Sequence, residues 1–218
     1  MAGLKLGVLI SGRGSNLQAL IDACAQPDFP AEIALVLSNK ADAYGLERAR
    51  NSGIATAVVS HRDHPGDKPA FEAAMDAALR EAGVELVCLA GFMRILSPWF
   101  VERWQDRLIN IHPSLLPSFK GLDTHERAIA AGVRVHGCTV HFVRPAMDDG
   151  PIIVQAAVPV LGTDQPHDLA ERVLEQEHRI YPLAVRLIAE GRARVDGERV
   201  MVEGHVPDDG TALVNPAP

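Results

Sequence analysis

Three short stretches of this 218-residue chain carry side chains that could do chemistry. The first is Asn110-Ile111-His112-Pro113, at the end of an apolar run. Residues two apart on a strand share a face, so a strand ending here turns Asn110 and His112 to the same side. Two donors converging on one small space suit a developing oxyanion, and an imidazole can also move a proton near neutral pH. A lone buried histidine is more often a satisfied core residue. Here the Asn partner, the strand-end position and the Pro-rich loop that follows favour chemistry.

The second stretch is Ser11-Gly12-Arg13-Gly14-Ser15-Asn16-Leu17, between a strand-like run and a helical pattern. Glycines let the backbone approach an anion, and a helix start offers N–H groups and a positive dipole end. Ser15 and Asn16 can add side-chain donors. A plain tight turn with an N-cap is the simpler alternative. Only half of a dinucleotide fingerprint is present. Leu17 stands where the third glycine belongs, and Ser38-Asn39-Lys40 lacks the acid that would hold a ribose, so NAD is not expected.

The third stretch is Asp148-Asp149-Gly150-Pro151. A carboxylate brought near His112 would orient the ring and support a charge on it. By spacing alone a polar turn is the simpler reading, since Asp, Gly and Pro are common turn residues. Ser11, Ser15 and Ser114 lack a G-x-S-x-G elbow, so no nucleophile stands out. A reaction in which a substrate's own amine attacks needs none. His136, His141 and the nearby acids form no ligand set with zinc spacing, and no metal is expected.

Alternating strands and helices must position these residues. Apolar runs at Lys5–Ile10, Glu32–Leu37, Thr56–Val59, Val84–Ala90 and Arg107–Ile111 predict five strands. Helical patterns over Ser15–Ala25, Tyr44–Asn51 and Pro69–Ala82, and a short helix after Ser97-Pro98, separate them. Non-alternating apolar strands between helices imply a parallel sheet covered on both faces. A Pro-rich loop over Pro113–Gly121 and a helix over Thr124–Ala131 follow. His136–Val143 and Pro151–Val158 are joined too closely for a helical crossover, which predicts an antiparallel pair. A long helix over His167–Glu190 closes the body. The expected fold is therefore α/β: a Rossmann-like, mostly parallel sheet with helices on both faces and an antiparallel C-terminal strand pair. Residues 1–190 are expected to form one domain, with a nucleotide-binding half to about residue 112 and a second half over about 113–190. Val195–Val202 reads as a small hairpin, and residues 191–218 as peripheral.

Composition bounds the remaining options. A formal charge of −7 argues against general nucleic-acid binding, which needs a basic face. No apolar run approaches a membrane span, and the N-terminus lacks a signal-peptide pattern, so a cytoplasmic protein is expected. Cys24, Cys88 and Cys138 are scattered in apolar surroundings and read as reduced, buried thiols.

Together these stretches resemble the phosphoribosylglycinamide formyltransferase family. The likeness extends over nearly the whole chain. It is carried by residues 9–18 (LISGRGSNLQ), 38–43 (SNKADA), 89–97 (LAGFMRILS), 110–117 (NIHPSLLP), 136–143 (HGCTVHFV) and 176–182 (QEHRIYP). The Asn-x-His and Ser-Leu-Leu-Pro segment is similar to folate-dependent formyltransferases broadly, and the glycine turn with Gln176-Glu177-His178 narrows it. The resemblance implies Asn110, His112 and Asp148 as the catalytic trio. It implies Gly14, Ser15 and Asn16 as a ribonucleotide phosphate cradle assisted by Lys68, and Glu177 as the acid that holds the glycinamide amine. Met93, Arg94, Ile95 and Leu96 would wall the folate, with Arg94 available to its glutamate tail and Val143 closing over the pterin. The co-substrate it implies is 10-formyltetrahydrofolate, with small-molecule partners only and either a monomer or a homodimer.

The chain departs from that family's pattern in places. Asp149 stands where Gly is usual, Lys120 replaces a frequent Pro and Asp123 a frequent His. Alignment with the family from His141 implies Asp148 as the acting acid. A formyltetrahydrofolate hydrolase would use a similar trio with water as acceptor, though normally behind an N-terminal regulatory module. A methionyl-tRNA formyltransferase would need a basic C-terminal domain. A non-catalytic nucleotide-binding module would keep the glycine turn but leaves the trio unexplained.

Overall fold

A computed structural model describes residues 3–204. The chain alternates β1 (Leu4–Ile10), α1 (Ser15–Cys24), β2 (Ala31–Ser38), α2 (Tyr44–Asn51), β3 (Thr56–Val58), α3 (Lys68–Glu81), β4 (Leu86–Leu89), α4 (Pro98–Arg103) and β5 (Leu108–His112). It continues through α5 (Thr124–Ala130), β6 (Val135–Phe142), β7 (Ile152–Pro159), α6 (Pro166–Ala189), β8 (Ala193–Asp196) and β9 (Arg199–Val202). Expected and observed elements correspond, with ends shifted by a residue or two. A short 3-10 turn at His61–Asp63 is an addition.

Seven strands form one sheet in the order β3-β2-β1-β4-β5-β6-β7. The pairs β1–β2, β1–β4, β2–β3 and β4–β5 are parallel, and β6–β7 is antiparallel as expected. Burial follows this order. All four residues of β4 are buried, as are the last five of β1, which suits central parallel strands covered on both faces. Edge strand β7 instead mixes buried and exposed positions. The pair β8–β9 is a separate two-stranded sheet, and the Pro/Asp/Gly-rich tail beyond it lies outside the described residues.

By packing, the chain resolves into two compact units. Among the described residues, one holds residues 3–110 together with Phe142–Pro145; the other holds Ile111–His141 and residues 146–204. In the first unit Leu9, Leu37, Met75, Leu79, Val87, Phe100 and Trp104 form the core. Asp76 of α3 sits at its margin and accepts from Trp104 Nε1 at 3.0 Å, from Arg80 Nε at 3.0 Å and from Arg103 Nη2 at 2.9 Å. In the second unit α6 buries Leu169, Val173, Glu177, Ile180, Tyr181 and Ala184, at helical spacing along one face. Asp168 closes the start of α6 by accepting from the Gln165 N–H at 2.8 Å, half of a capping box.

The three cysteines are free. Cys88 and Cys138 are buried, whereas Cys24 is only half-buried, because α1 turns it toward its partly exposed side. Among the described residues no helix is long and apolar enough to cross a membrane.

Candidate active site

The glycine turn is built into the first unit by α2. Gly14 caps α1 at φ +71°, a left-handed value that glycine adopts without strain. A side chain here would also collide, since a Cβ on Gly14 would lie 2.8 Å from Gly45 Cα. The Gly45 N–H donates to the Gly12 carbonyl at 3.0 Å, and Arg48 Nε donates to the Arg13 carbonyl at 2.9 Å. The turn's carbonyls are thus engaged from behind. The first turn of α1, which begins at Ser15 and Asn16, carries no acidic side chain. That combination leaves a helix start suited to an anion. A depression of about 260 Å³ beside the turn is lined by Ser11, Gly12, Arg13, Lys40, Asp42, Ala43 and Tyr44. Arg13 and Lys40 bring positive charge there that sequence reasoning did not single out.

Residues 91–97 form the loop after β4. Phe92 and Leu96 pack against the core, while Met93 and Ile95 are 63% and 71% exposed and Arg94 is exposed beside them. Val143 is similarly packed against this core, its N–H donating to the Leu108 carbonyl at 2.9 Å. Lys68, the first residue of α3, lies 3.8 Å from the Glu72 carboxylate. Glu72 is buried, accepts the Ser97 N–H at 2.7 Å and also bonds the Ser97 hydroxyl.

Asn110 and His112 occupy the last turns of pleat in β5, two residues apart on one strand. In the second unit His112 is buried, and its Nδ1 lies 3.5 Å from Asp148 Oδ2. Its Nε2 lies 3.1 Å from the Phe119 carbonyl oxygen. Both ring nitrogens thus face oxygen atoms. Asp148 also accepts from the Gly121 N–H at 2.8 Å. Asp149 turns outward to pair with Lys120. Two of the departures from the family pattern, Lys120 and Asp149, are thus each other's partners, and Asp148 is the acid beside the imidazole.

The loop between His112 and α5 is tied down from β6 and β7, a set of bonds the sequence reading missed. The Thr139 hydroxyl donates to the Ser114 carbonyl at 2.7 Å and accepts from the Leu116 N–H at 3.1 Å. Gln155 Nε2 donates to Thr139 Oγ1 at 2.9 Å and to the Leu116 carbonyl at 3.0 Å. Within the loop the Leu116-Pro117 peptide is cis. His136 stacks edge-on against Phe119 and His125, with ring centroids 5.7 and 5.4 Å away. Burial first, then the neighbouring His125, pushes His136 down to about 4. Glu177, on the buried face of α6, is close enough to Cys138 to reinforce the effect of burial, which pushes that thiol up to about 12.

The Asn-x-His pair stands at the carboxyl end of β5, the end at which open, mostly parallel α/β sheets bind small ligands. The comparisons narrow the class: residues 4–185 match the formyl transferase family model, and the chain belongs to that family. It is 46% identical over 215 residues to the phosphoribosylglycinamide formyltransferase of Escherichia coli K12, covering 94% of this chain and 100% of that one. It is 53% identical over 192 residues to the trifunctional purine biosynthetic protein adenosine-3 of Gallus gallus. That match covers 88% of this chain but 19% of the relative, so the chain spans about a fifth of that protein's length. The crystal structure of glycinamide ribonucleotide transformylase 1 from Symbiobacterium toebii superposes with a TM-score of 0.89 at 50% identity, covering 92% of this chain and 94% of that one.

Proposed function

We propose that this chain transfers the formyl group of 10-formyltetrahydrofolate to the amine of 5'-phosphoribosylglycinamide, giving the N-formyl ribonucleotide and tetrahydrofolate in purine synthesis. The observation that carries the reading is the His112 imidazole held between the Asp148 carboxylate and the Phe119 carbonyl, two residues beyond Asn110 on the same strand. The substrate amine attacks the formyl carbon, and the carbonyl oxygen becomes an oxyanion. Asn110 and protonated His112 stabilise that charge by donation, and Asp148 sustains the charge on His112. The amine then loses a proton as the C–N bond to the folate N10 breaks, and N10 gains one; Asp148 assists that relay through water.

The remaining residues take binding roles in this reading. Gly14, Ser15 and Asn16 hold the phosphate at the start of α1, with Lys68 assisting. Glu177 orients the amine. Met93, Arg94, Ile95, Leu96 and Val143 form the folate wall, with Arg94 directed to the glutamate tail. The transfer needs no metal and no nicotinamide. A cytoplasmic monomer or homodimer acting only on small molecules fits this chemistry.

The test is formyl transfer by purified protein supplied with 10-formyltetrahydrofolate, with and without glycinamide ribonucleotide. Folate release that depends on the ribonucleotide is expected. Release without it would replace transfer by hydrolysis, and ribonucleotide binding without release in either case would leave a binding module.

A further inference from the structure

We infer that Ser11, although it lies in the glycine turn, is a positioning residue for the folate-side loop. The inference rests on the proposed formyl transfer and deepens it. Ser11 is the first residue after β1 and is 5% exposed. Its hydroxyl donates to Asn39 Oδ1 at 2.6 Å and accepts the Met93 N–H at 2.8 Å, across 82 residues of sequence. A hydroxyl has one proton. Giving it to Asn39, itself 2% exposed, leaves a lone pair aimed at Met93. Asn39 therefore sets the polarity of the contact as well as sharing it.

The loop at 91–97 depends on that contact. It is anchored at its far end by Glu72, which takes the Ser97 N–H, and near its start by Ser11, which takes the Met93 N–H. Between the two anchors lie the outward-facing Met93, Arg94 and Ile95. The glycine turn depends on Ser11 far less, because Gly45 and Arg48 of α2 hold the Gly12 and Arg13 carbonyls independently. Loss of the hydroxyl leaves the part-buried Met93 N–H and the buried Asn39 side-chain oxygen without this partner. The loop is free to give way, whereas the turn is not. A residue inside the nucleotide-side motif thus acts on the other substrate.

The decisive experiment is steady-state kinetics of Ser11→Ala with each substrate varied separately, alongside hydrogen exchange of the backbone amides. The KM for 10-formyltetrahydrofolate is expected to rise by about tenfold, the scale of one net hydrogen bond. The KM for glycinamide ribonucleotide should stay within about twofold, the expectation for a turn braced independently of the lost bond. The Met93 amide should exchange faster while those of Gly14 to Asn16 do not. Ser11→Thr, which keeps the hydroxyl, should restore the folate KM. Should Ser11→Ala fail to fold, Ser11→Cys, with nearly the same volume, must give the same split at smaller size. A rise confined to the ribonucleotide KM, an equal rise in both, or no change would overturn the role given to Ser11. A wild-type chain that transfers no formyl group would instead overturn the functional reading, and this inference with it.

Discussion

Asp148 points its carboxylate to within 3.5 Å of His112 Nδ1 from a backbone at φ +50°, a conformation that L-residues seldom adopt. The same carboxylate accepts the Gly121 N–H. If His112 donates to the oxyanion, His112→Ala should lower kcat by ~100–1000-fold while leaving ribonucleotide affinity nearly intact. Equal losses in turnover and ribonucleotide affinity would remove His112 from that role. Asp148→Asn should likewise cost far more activity than Asp149→Asn, which stopped-time assays on the two variants would establish.

Lys120 and Asp149 form an exposed pair, with side chains 37% and 56% accessible. Such pairs contribute less than about 1 kcal/mol. Lys120→Ala and Asp149→Ala should each leave urea midpoints nearly unchanged in physiological salt. A large loss in either would show that the pair, not Asp148 alone, holds residues 119–121 against His112.

Asp76 accepts hydrogen bonds from Arg80, Arg103 and Trp104. Burial by itself would raise its pKa, but hydrogen bonds and charge from Arg80 and Arg103 outweigh that and hold the carboxyl below the usual range. A depressed folded value means that the stability is present above about 3.9, the unfolded value, and lost as pH falls through the folded one. Asp76→Asn should cost about 1.5–3 kcal/mol at neutral pH, the range for hydrogen bonds to charged groups. The difference from wild type should shrink below pH 4, as read by urea unfolding at each pH.

His136 carries the opposite charge logic to the same direction of pH. Burial, and behind it His125, keeps its folded value at about 4, and burial likewise lowers His125. The unfolded chain takes up a proton at about 6.5 while the folded chain resists until about 4. Stability is therefore full above pH 6.5 and declines as pH falls toward 4. His136→Gln should flatten unfolding free energy over that window. An unchanged slope would place the acid sensitivity elsewhere.

Much of this architecture was legible because it is written locally. Apolar runs at Leu6 to Ile10 and Leu86 to Leu89 are long enough, and turn residues such as Gly14 and Gly83 placed well enough, to mark strands and helices without tertiary information. The Asn110 and His112 alignment followed from strand geometry alone. The family resemblance pointed to Asp148 over Asp149, but spacing alone did not give the physical reason, which is one left-handed residue and a contact with Gly121. Nor could it show that Thr139 and Gln155 fasten the loop after His112, or that Ser11 reaches Met93. Those contacts join residues far apart in sequence, and no periodicity records them. The same holds for Arg80, Arg103 and Trp104, which converge on Asp76 from different parts of the chain.

The contact of Gly14 with Gly45 has a consequence for protein engineering. A turn whose carbonyls are held by a neighbouring helix is not a portable cassette. Transplanting Ser11 to Leu17 into another sheet would carry the letters without the bracket, and the recipient would have to import Tyr44 to Arg48 as well. Conversely, a library that varies Arg13 while freezing Gly14, Gly45 and Arg48 would explore new anion chemistries on a frame that stays closed.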